Sequence, residues 1–219
     1  MRRILVVDVG GTHVKVLASG KRTPIKFDSG PEMTPAGMIA EVKAAAEGWK
    51  YSVVTIGYPG TVANGKPSRE PHNLGPGWRR FDFAKAFGCP ARVINDAAMQ
   101  ALGGYNRGKM LFLGLGTGLG SAMIVDGVVI PLELAHLPYR KGRTYEEYVG
   151  AAGLARLGKK RWRFHVLNVV ELLRGAMEAD DLLIGGGNAR ILEALPPGTR
   201  LGTNANAFLG GYRVWNQRA

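Results

Sequence analysis

The chain has 219 residues, 46% of them hydrophobic and 21% charged, with a formal net charge of +12 and a pI of about 10.1. That length can bury a substantial core as one large domain or two small lobes; the single cysteine, Cys89, excludes an intrachain disulfide and a Cys-rich zinc site, and no apolar run nears the roughly 18 residues of a membrane-crossing helix. The positive balance attracts polyanions such as nucleic acid, polyphosphate or an acidic membrane surface, but no nucleic-acid-binding fold signature accompanies it.

In chain order, the apolar run Ile4–Val7 reads as a strand. It ends in Asp8-Val9-Gly10-Gly11-Thr12-His13-Val14-Lys15, and a second β-like run, Val14–Ala18, follows. Asp8 interrupts the apolar stretch behind Met1-Arg2-Arg3 too early for a signal peptide, so no leader is expected. The pattern predicts a helix over 35–49, capped by Thr34, with Met38, Ile39, Val42 and Ala46 as its apolar stripe. It then predicts a buried strand at 53–56, a structured loop at 63–79, a short helix at 81–87, a strand at 91–94 ending at Asn95-Asp96, and a helix at 97–102. The same order restarts at Met110: strand, the turn Gly114-Leu115-Gly116-Thr117-Gly118-Leu119-Gly120-Ser121, and strand. Beyond it come a strand at 128–130, helices at 145–157 and 166–177, a strand at 181–184 running into Gly185-Gly186-Gly187, and a closing helix at 206–214. A glycine hairpin opening each half is a weak internal repeat. The expectation is an α/β protein of two similar lobes around a cleft, residues 1–98 and 99–219.

Neither glycine turn fits the common nucleotide motifs. A dinucleotide loop joins a strand to a helix with Gly-x-Gly-x-x-Gly, whereas the second turn continues into a strand. Gly103 to Gly108-Lys109 mimics a Walker loop, but Met110 stands where Ser or Thr should meet magnesium. Glycine still lets a backbone approach a ligand closely and offers N–H groups to phosphate. The first turn is either a tight hairpin alone or a phosphate cradle. Asp8 favours the cradle, since a carboxylate at the end of an apolar strand needs a partner, and a hydrated Mg²⁺ beside phosphate is one. Lys15 either compensates that charge or faces solvent. Asp96 is a candidate general base placed just after a buried strand, or part of a helix cap with Asn95. Glu133 and His136 are polyol ligands or members of a surface loop. Glu146 and Glu147 start a helix or face a sugar. Asn73 lies in the loop or its turn. Gly185-Gly186-Gly187 admits a base or ribose, or only connects elements. The basic run Lys159-Lys160-Arg161-Trp162-Arg163, with Arg140, Lys141 and Arg143 upstream, is a solvated face or a polyanion track.

These motifs, in this order, resemble the ROK (repressor, open reading frame, kinase) family of sugar kinases, within the actin-like and hexokinase-like ATPase superfamily. The likeness runs over nearly the whole chain and is strongest to polyphosphate glucokinases. Asp8–Lys15 resembles the first phosphate motif, and Asn95-Asp96-Ala97 the segment bearing the catalytic Asp. Leu115–Ala122 with Val125-Asp126-Gly127 resembles the second phosphate motif, and Leu183–Gly187 the adenosine-side motif. The resemblance implies an actin-like, ribonuclease H-like fold. It implies phosphoryl transfer from polyphosphate and/or ATP to the 6-hydroxyl of glucose, with Asp96 as base. Asn73, Asn95, Glu133, His136 and Glu146 would hold the sugar. Asp8 would position Mg²⁺ through water. Gly10, Gly11, Thr12, Lys15, Gly116, Thr117 and Gly118 would serve the donor phosphates, and Gly185, Gly186 and Gly187 the nucleotide side. It further implies a cytoplasmic enzyme, homodimeric by family habit, with neither nucleic acid nor membrane as partner. Alternatives are an ATP-dependent kinase of another hexose or N-acetylhexosamine, a phosphohydrolase and a non-catalytic sugar sensor. The chain departs from the family in three ways. The segment 136–145 lacks the Cys-rich zinc motif, Ala135 replaces a glycine, and His13 stands where lysine is common.

Overall fold

The computed structural model describes residues 2–203 and 205–216. The chain divides into two compact units, Met1–Met99 with Ala207–Ala219, and Gln100–Asn206.

The first unit is built on a five-stranded sheet of order β3-β2-β1-β4-β7. Its strands are β1 (Ile4–Val9), β2 (His13–Ala18), β3 (Ile25–Asp28), β4 (Val53–Tyr58) and β7 (Ala91–Asn95); a two-stranded ribbon, β5 (Val62–Ala63) with β6 (Lys66–Pro67), lies within the long loop. Strand β2 runs antiparallel to β1 and to β3, whereas β4 lies parallel to β1 and to β7. All six residues of β1 are buried, as expected of a central strand covered on both faces. Leu5, Val7 and Val9 pack with α1 (Pro35–Ala45), α2 (Phe83–Phe87) and Trp78. Ile4 and Val6 face the other way, toward Met99, Ala207 and Phe208. Thr34 Oγ1 caps α1 by accepting from Gly37 N–H at 3.2 Å.

The last helix completes this second face. Helix α6 (Ala205–Arg213) runs from its start onto the first unit, where Gly211 sits so tightly on Val6 that a Cβ would collide with its side chain. Buried Thr55 donates to Gly211 O at 2.7 Å and accepts from Trp215 Nε1 at 2.8 Å, so both of its hydrogen-bonding roles are filled. Arg92 donates to Val214 O and lies 4.8 Å from the Trp215 ring centroid.

The second unit repeats the plan. Its sheet has the order β10-β9-β8-β13-β14, with β8 (Lys109–Leu115), β9 (Leu119–Val125), β10 (Val128–Leu132), β13 (Asp181–Gly185) and β14 (Thr199–Leu201). Strands β8, β9 and β10 pair antiparallel, and β13 lies parallel to β8 and β14. Strand by strand this is the topology of the first sheet, so the repeat of glycine turns in the sequence reflects a repeat of architecture. Helix α3 (Asp96–Gly104) supplies residues to both units.

Three expectations need correction. The helix expected at 145–157 is two, α4 (Tyr145–Val149) and the start of α5 (Ala151–Ala176). Gly150 sits at ψ −178° between them, with Glu146 O and Thr117 O too close for a Cβ. Helix α5 fills the expected gap at 158–165 and is broken only at Gly158, whose φ of 71° suits glycine. The basic run therefore lies on helix: Lys159, Lys160 and Arg161 are exposed, while Trp162 is fully buried and donates to Val149 O at 2.9 Å. Finally, β3, β14 and the hairpin β11 (Pro138–Arg140) with β12 (Arg143–Thr144) were not expected.

Candidate active site

In the first unit Asp8 lies on β1 with 8% of its surface exposed. It stands opposite Lys15 on β2 and opposite Gly57 on β4. Lys15 Nζ is 3.6 Å from Asp8 Oδ2. A Cβ on Gly57 would collide with Met99 and come within 3.5 Å of Asp8 Oδ1, so the glycine leaves the carboxylate its space. Burial raises the Asp8 pKa, and the Lys15 charge only partly offsets it. A carboxyl whose folded pKa lies above its unfolded value keeps a proton the unfolded chain has lost. Stability therefore falls as pH rises through that interval. Asp8→Asn is expected to raise the melting temperature of the ligand-free protein at neutral pH. Equal or lower thermal stability, measured by calorimetry, would contradict this.

The turn after Asp8 is tied down from behind. Ser29 Oγ donates to Gly10 O at 2.6 Å, Ser29 N–H to Thr12 O at 2.9 Å, and Gly10 N–H to His13 O at 3.0 Å. Against it lies the loop of Asn73: a Cβ on Gly11 would lie 2.9 Å from Asn73 Cβ. That loop is not loose. Leu74 and Trp78 are buried, Trp78 Nε1 donates to Met33 O at 3.2 Å, and Glu70 accepts from the Trp78 and Arg79 N–H groups. Asn73 itself is exposed on this anchored base.

Asn95 ends β7 and caps α3, its Oδ1 accepting from Ala98 N–H at 3.0 Å. Its Nδ2 donates to Gly60 O at 3.1 Å and Asp96 Oδ1 at 3.2 Å. Asp96 Oδ1 also accepts from Ala97 N–H at 2.8 Å. The cap to the third residue belongs to Asn95, while the Asp96 carboxylate is oriented by two donors at the start of the helix.

In the second unit, four successive carbonyls of the second glycine turn are occupied from within. Leu115 O accepts from Asn188 N–H at 3.0 Å, and Gly116 O from Asn188 Nδ2 at 3.1 Å. Thr117 O accepts from Ala151 N–H at 3.0 Å, and Gly118 O from Gly116 N–H at 3.1 Å. Gly116 N–H and Leu119 N–H are engaged as well, by Gly118 O and Glu146, which leaves the Thr117 and Gly118 N–H groups as the donors the turn can offer an anion. The third glycine turn is stacked directly on it: Gly186, at φ 84°, leaves no room for a Cβ beside the Leu115 backbone. Gly116 and Gly187 face open space.

Glu146 and Glu147 have separate tasks. Glu147 forms a capping box with Thr144, accepting from Thr144 N–H at 2.8 Å, and this lowers its pKa. Glu146 points to the second turn, its Oε2 accepting from Leu119 N–H at 3.2 Å beside Gly118. Glu133, just before the short 3₁₀ turn 134–136, and His136, at its end, are exposed. Ser121 ties that segment to β9 by donating to Leu132 O at 2.9 Å and accepting from Leu134 N–H at 3.2 Å. Ser29, Ser121 and Asn188 were missed by sequence reasoning, because isolated polar residues carry no pattern of their own.

Among the described residues no group of three or more His, Cys, Asp or Glu could hold a metal ion. Magnesium is commonly held by one or two carboxylates plus water and substrate phosphates, so a three-ligand cluster is not required, and Asp8 is the carboxylate beside the first turn. A cavity of about 480 Å³, lined by residues that include Arg107, Asp181 and Arg200, lies at the opposite ends of β8 and β13 from the turns. Arg200 closes on Asp181 there, and the cavity is no part of this site. No helix among the described residues is long and apolar enough to cross a membrane.

Comparison with known proteins agrees with this fold. The model of the ROK family matches residues 4–131. The chain is 30% identical to the polyphosphate glucokinase of Mycobacterium tuberculosis (strain H37Rv), over 85% of this chain and 73% of that protein. It is 29% identical to the Mycobacterium leprae polyphosphate glucokinase, but spans only 60% of that relative's length. Among solved structures, the inorganic polyphosphate/ATP-glucomannokinase of Arthrobacter sp. strain KM superposes with a TM-score of 0.84 at 23% identity, covering 100% of both chains. A ROK glucokinase of Streptomyces griseus in complex with glucose and AMPPNP gives 0.77 at 16% identity, over 97% of this chain and 98% of that one. The duplicated sheet, its glycine turns and these matches together place the chain in the ROK family, with the actin-like ATPase fold of its sugar kinases.

Proposed function

We propose that this protein is a sugar kinase that transfers a phosphoryl group from polyphosphate or ATP to the 6-hydroxyl of glucose. The observation that carries the reading is the second glycine turn, in which the carbonyls of residues 115–118 are tied inward while the Thr117 and Gly118 N–H groups are left for phosphate. The names of the mycobacterial and Arthrobacter relatives supply the donor and acceptor classes.

In this reading Asp96 accepts the proton of the sugar 6-hydroxyl. The freed oxygen attacks the terminal phosphorus, and the bond to the leaving phosphate chain or nucleoside diphosphate breaks. The products are glucose 6-phosphate, a donor shorter by one phosphoryl group, and a protonated Asp96. A placed carboxylate contributes about 10²–10⁴-fold to such a step; the remainder is positioning and charge stabilisation. Asn73, Asn95, Glu133, His136 and Glu146 hold sugar hydroxyls. Gly10, Gly11, Thr12, Gly116, Thr117 and Gly118 hold donor phosphates, with Lys15 adding charge, and Gly185, Gly186 and Gly187 flank the nucleotide. Asp8 is the residue that would hold magnesium, which when bound neutralises charge on the donor phosphates.

The test is a coupled assay with magnesium in which glucose, mannose and N-acetylmannosamine are crossed with ATP and long-chain polyphosphate. Glucose turnover is expected with at least one donor. Phosphate release that is independent of any sugar would instead identify a phosphohydrolase.

A further inference from the structure

The second glycine turn is built from the peptide planes 115–116, 116–117, 117–118 and 118–119. Each is trans, so its carbonyl and its N–H point in opposite directions, and fixing one end aims the other. In the first plane both ends are bonded within the protein: Leu115 O accepts from Asn188 N–H, and Gly116 N–H donates to Gly118 O. The last plane is closed too, with Gly118 O taking that bond and Leu119 N–H donating to Glu146. The two planes between them are held by their carbonyls alone, which is why Thr117 and Gly118 N–H are the groups left for a ligand.

These two planes are held by different means. Thr117 O accepts from the main-chain N–H of Ala151 at 3.0 Å, at the start of α5, with Gly150 packed against the same oxygen. Gly116 O accepts from a side chain, Asn188 Nδ2, at 3.1 Å. Gly116 adds no restraint of its own, because nothing lies within 4 Å of where its Cβ would be and glycine leaves the adjoining backbone bond free to turn. The direction of Thr117 N–H therefore depends on the Asn188 amide.

Asn188 is diverted from the task its position would suggest. It directly precedes the short 3₁₀ turn 189–191, where an asparagine side chain ordinarily bonds an N–H of the turn, yet it makes no such bond. Ile191 N–H is met by the Asn188 carbonyl instead, at 2.9 Å. The main chain of Asn188 is placed by Gly186, stacked on the Leu115 backbone, and by its own N–H on Leu115 O at 3.0 Å, so that its amide reaches the next carbonyl along. We propose that Asn188 is a positioning residue, which aims Thr117 N–H at a phosphate of the donor by holding the other end of the same peptide plane. That the anion is a phosphoryl donor rests on the phosphotransferase reading above; the aim of the N–H does not.

The test is titration of ¹⁵N-labelled wild type, Asn188→Ala and Asn188→Asp with tripolyphosphate and with ATP, followed at the Thr117 and Gly118 amides, with melting temperatures recorded to confirm folding. In the wild type both amide protons should move downfield as they take up hydrogen bonds to the anion. Asn188→Ala removes the Nδ2 donor and keeps the main-chain bond to Leu115 O. Its affinity for tripolyphosphate and for ATP should fall by about tenfold, the worth of one hydrogen bond to a charged group. The Thr117 response should be lost, while that of Gly118, whose plane Ala151 holds, should persist. Asn188→Asp keeps the shape but sets an oxygen against Gly116 O, and should lose the Thr117 response even if the alanine variant fails to fold. A wild-type Thr117 amide that ignores tripolyphosphate, variants that keep its response, or an equal loss at Thr117 and Gly118 would each overturn the proposal. So would a loss of affinity confined to ATP, which would make Asn188 a nucleoside contact. A protein that gives the expected amide pattern yet phosphorylates no sugar would refute the kinase reading and leave the role of Asn188 standing.

Discussion

Asp96→Asn is expected to lower kcat by about 10²–10⁴-fold, the contribution of a well-placed carboxylate base, with the fold intact. The amide keeps an oxygen where Asp96 Oδ1 accepts from Ala97 N–H and Asn95 Nδ2. It cannot take up the proton of a sugar hydroxyl, so the loss should fall on kcat and leave KM for glucose nearly unchanged. Asn95→Ala makes a useful contrast. It removes the cap of α3 and the bond to Gly60 O, at a cost of about 1 kcal/mol in stability. Near-normal kcat for Asp96→Asn would remove Asp96 as the base.

The second large effect is structural. Gly186→Ala forces a side chain into a positive-φ backbone and onto the Leu115 main chain, which cannot swing aside as a side chain would. Conformational strain and overpacking together should cost about 2–4 kcal/mol. Because Asn188 N–H and Nδ2 tie the same segment to Leu115 O and Gly116 O, the damage should reach the second turn and raise KM for the phosphate donor. Gly187→Ala, with nothing near its Cβ position, is expected to leave the melting temperature nearly unchanged. Equal thermal stability of the two variants would show that the third turn is not stacked on the second as described.

The parts of the fold that were legible in the sequence are those where backbone chemistry leaves a mark. Alternate glycines between two apolar runs announced β8, its turn and β9, and Thr34-Pro35 announced the start of α1. The two-sheet repeat was visible only as a recurrence of glycine hairpins, because β3 and β14 are short, β3 is mostly exposed, and neither carries an apolar run. The return of α6 to the first unit was hidden, since its contacts with Val6 and Thr55 join residues 156 or more apart in sequence. At the site, Asp8 was conspicuous as an acid in an apolar strand. Which of Glu146 and Glu147 faces the second turn was not readable from adjacent identical residues. It depends on the capping box, which claims Glu147 and leaves Glu146 for Leu119 N–H. Ser29 and Asn188 were invisible for the same reason: their importance lies in which distant carbonyls they reach.

The most direct measurement of the central claim is a ³¹P spectrum of purified protein incubated with magnesium, glucose and either ATP or polyphosphate. Appearance of the glucose 6-phosphate resonance with wild-type protein, and its absence with Asp96→Asn, is the predicted result. Inorganic phosphate as the only product, or a resonance formed equally fast by Asp96→Asn, would contradict it.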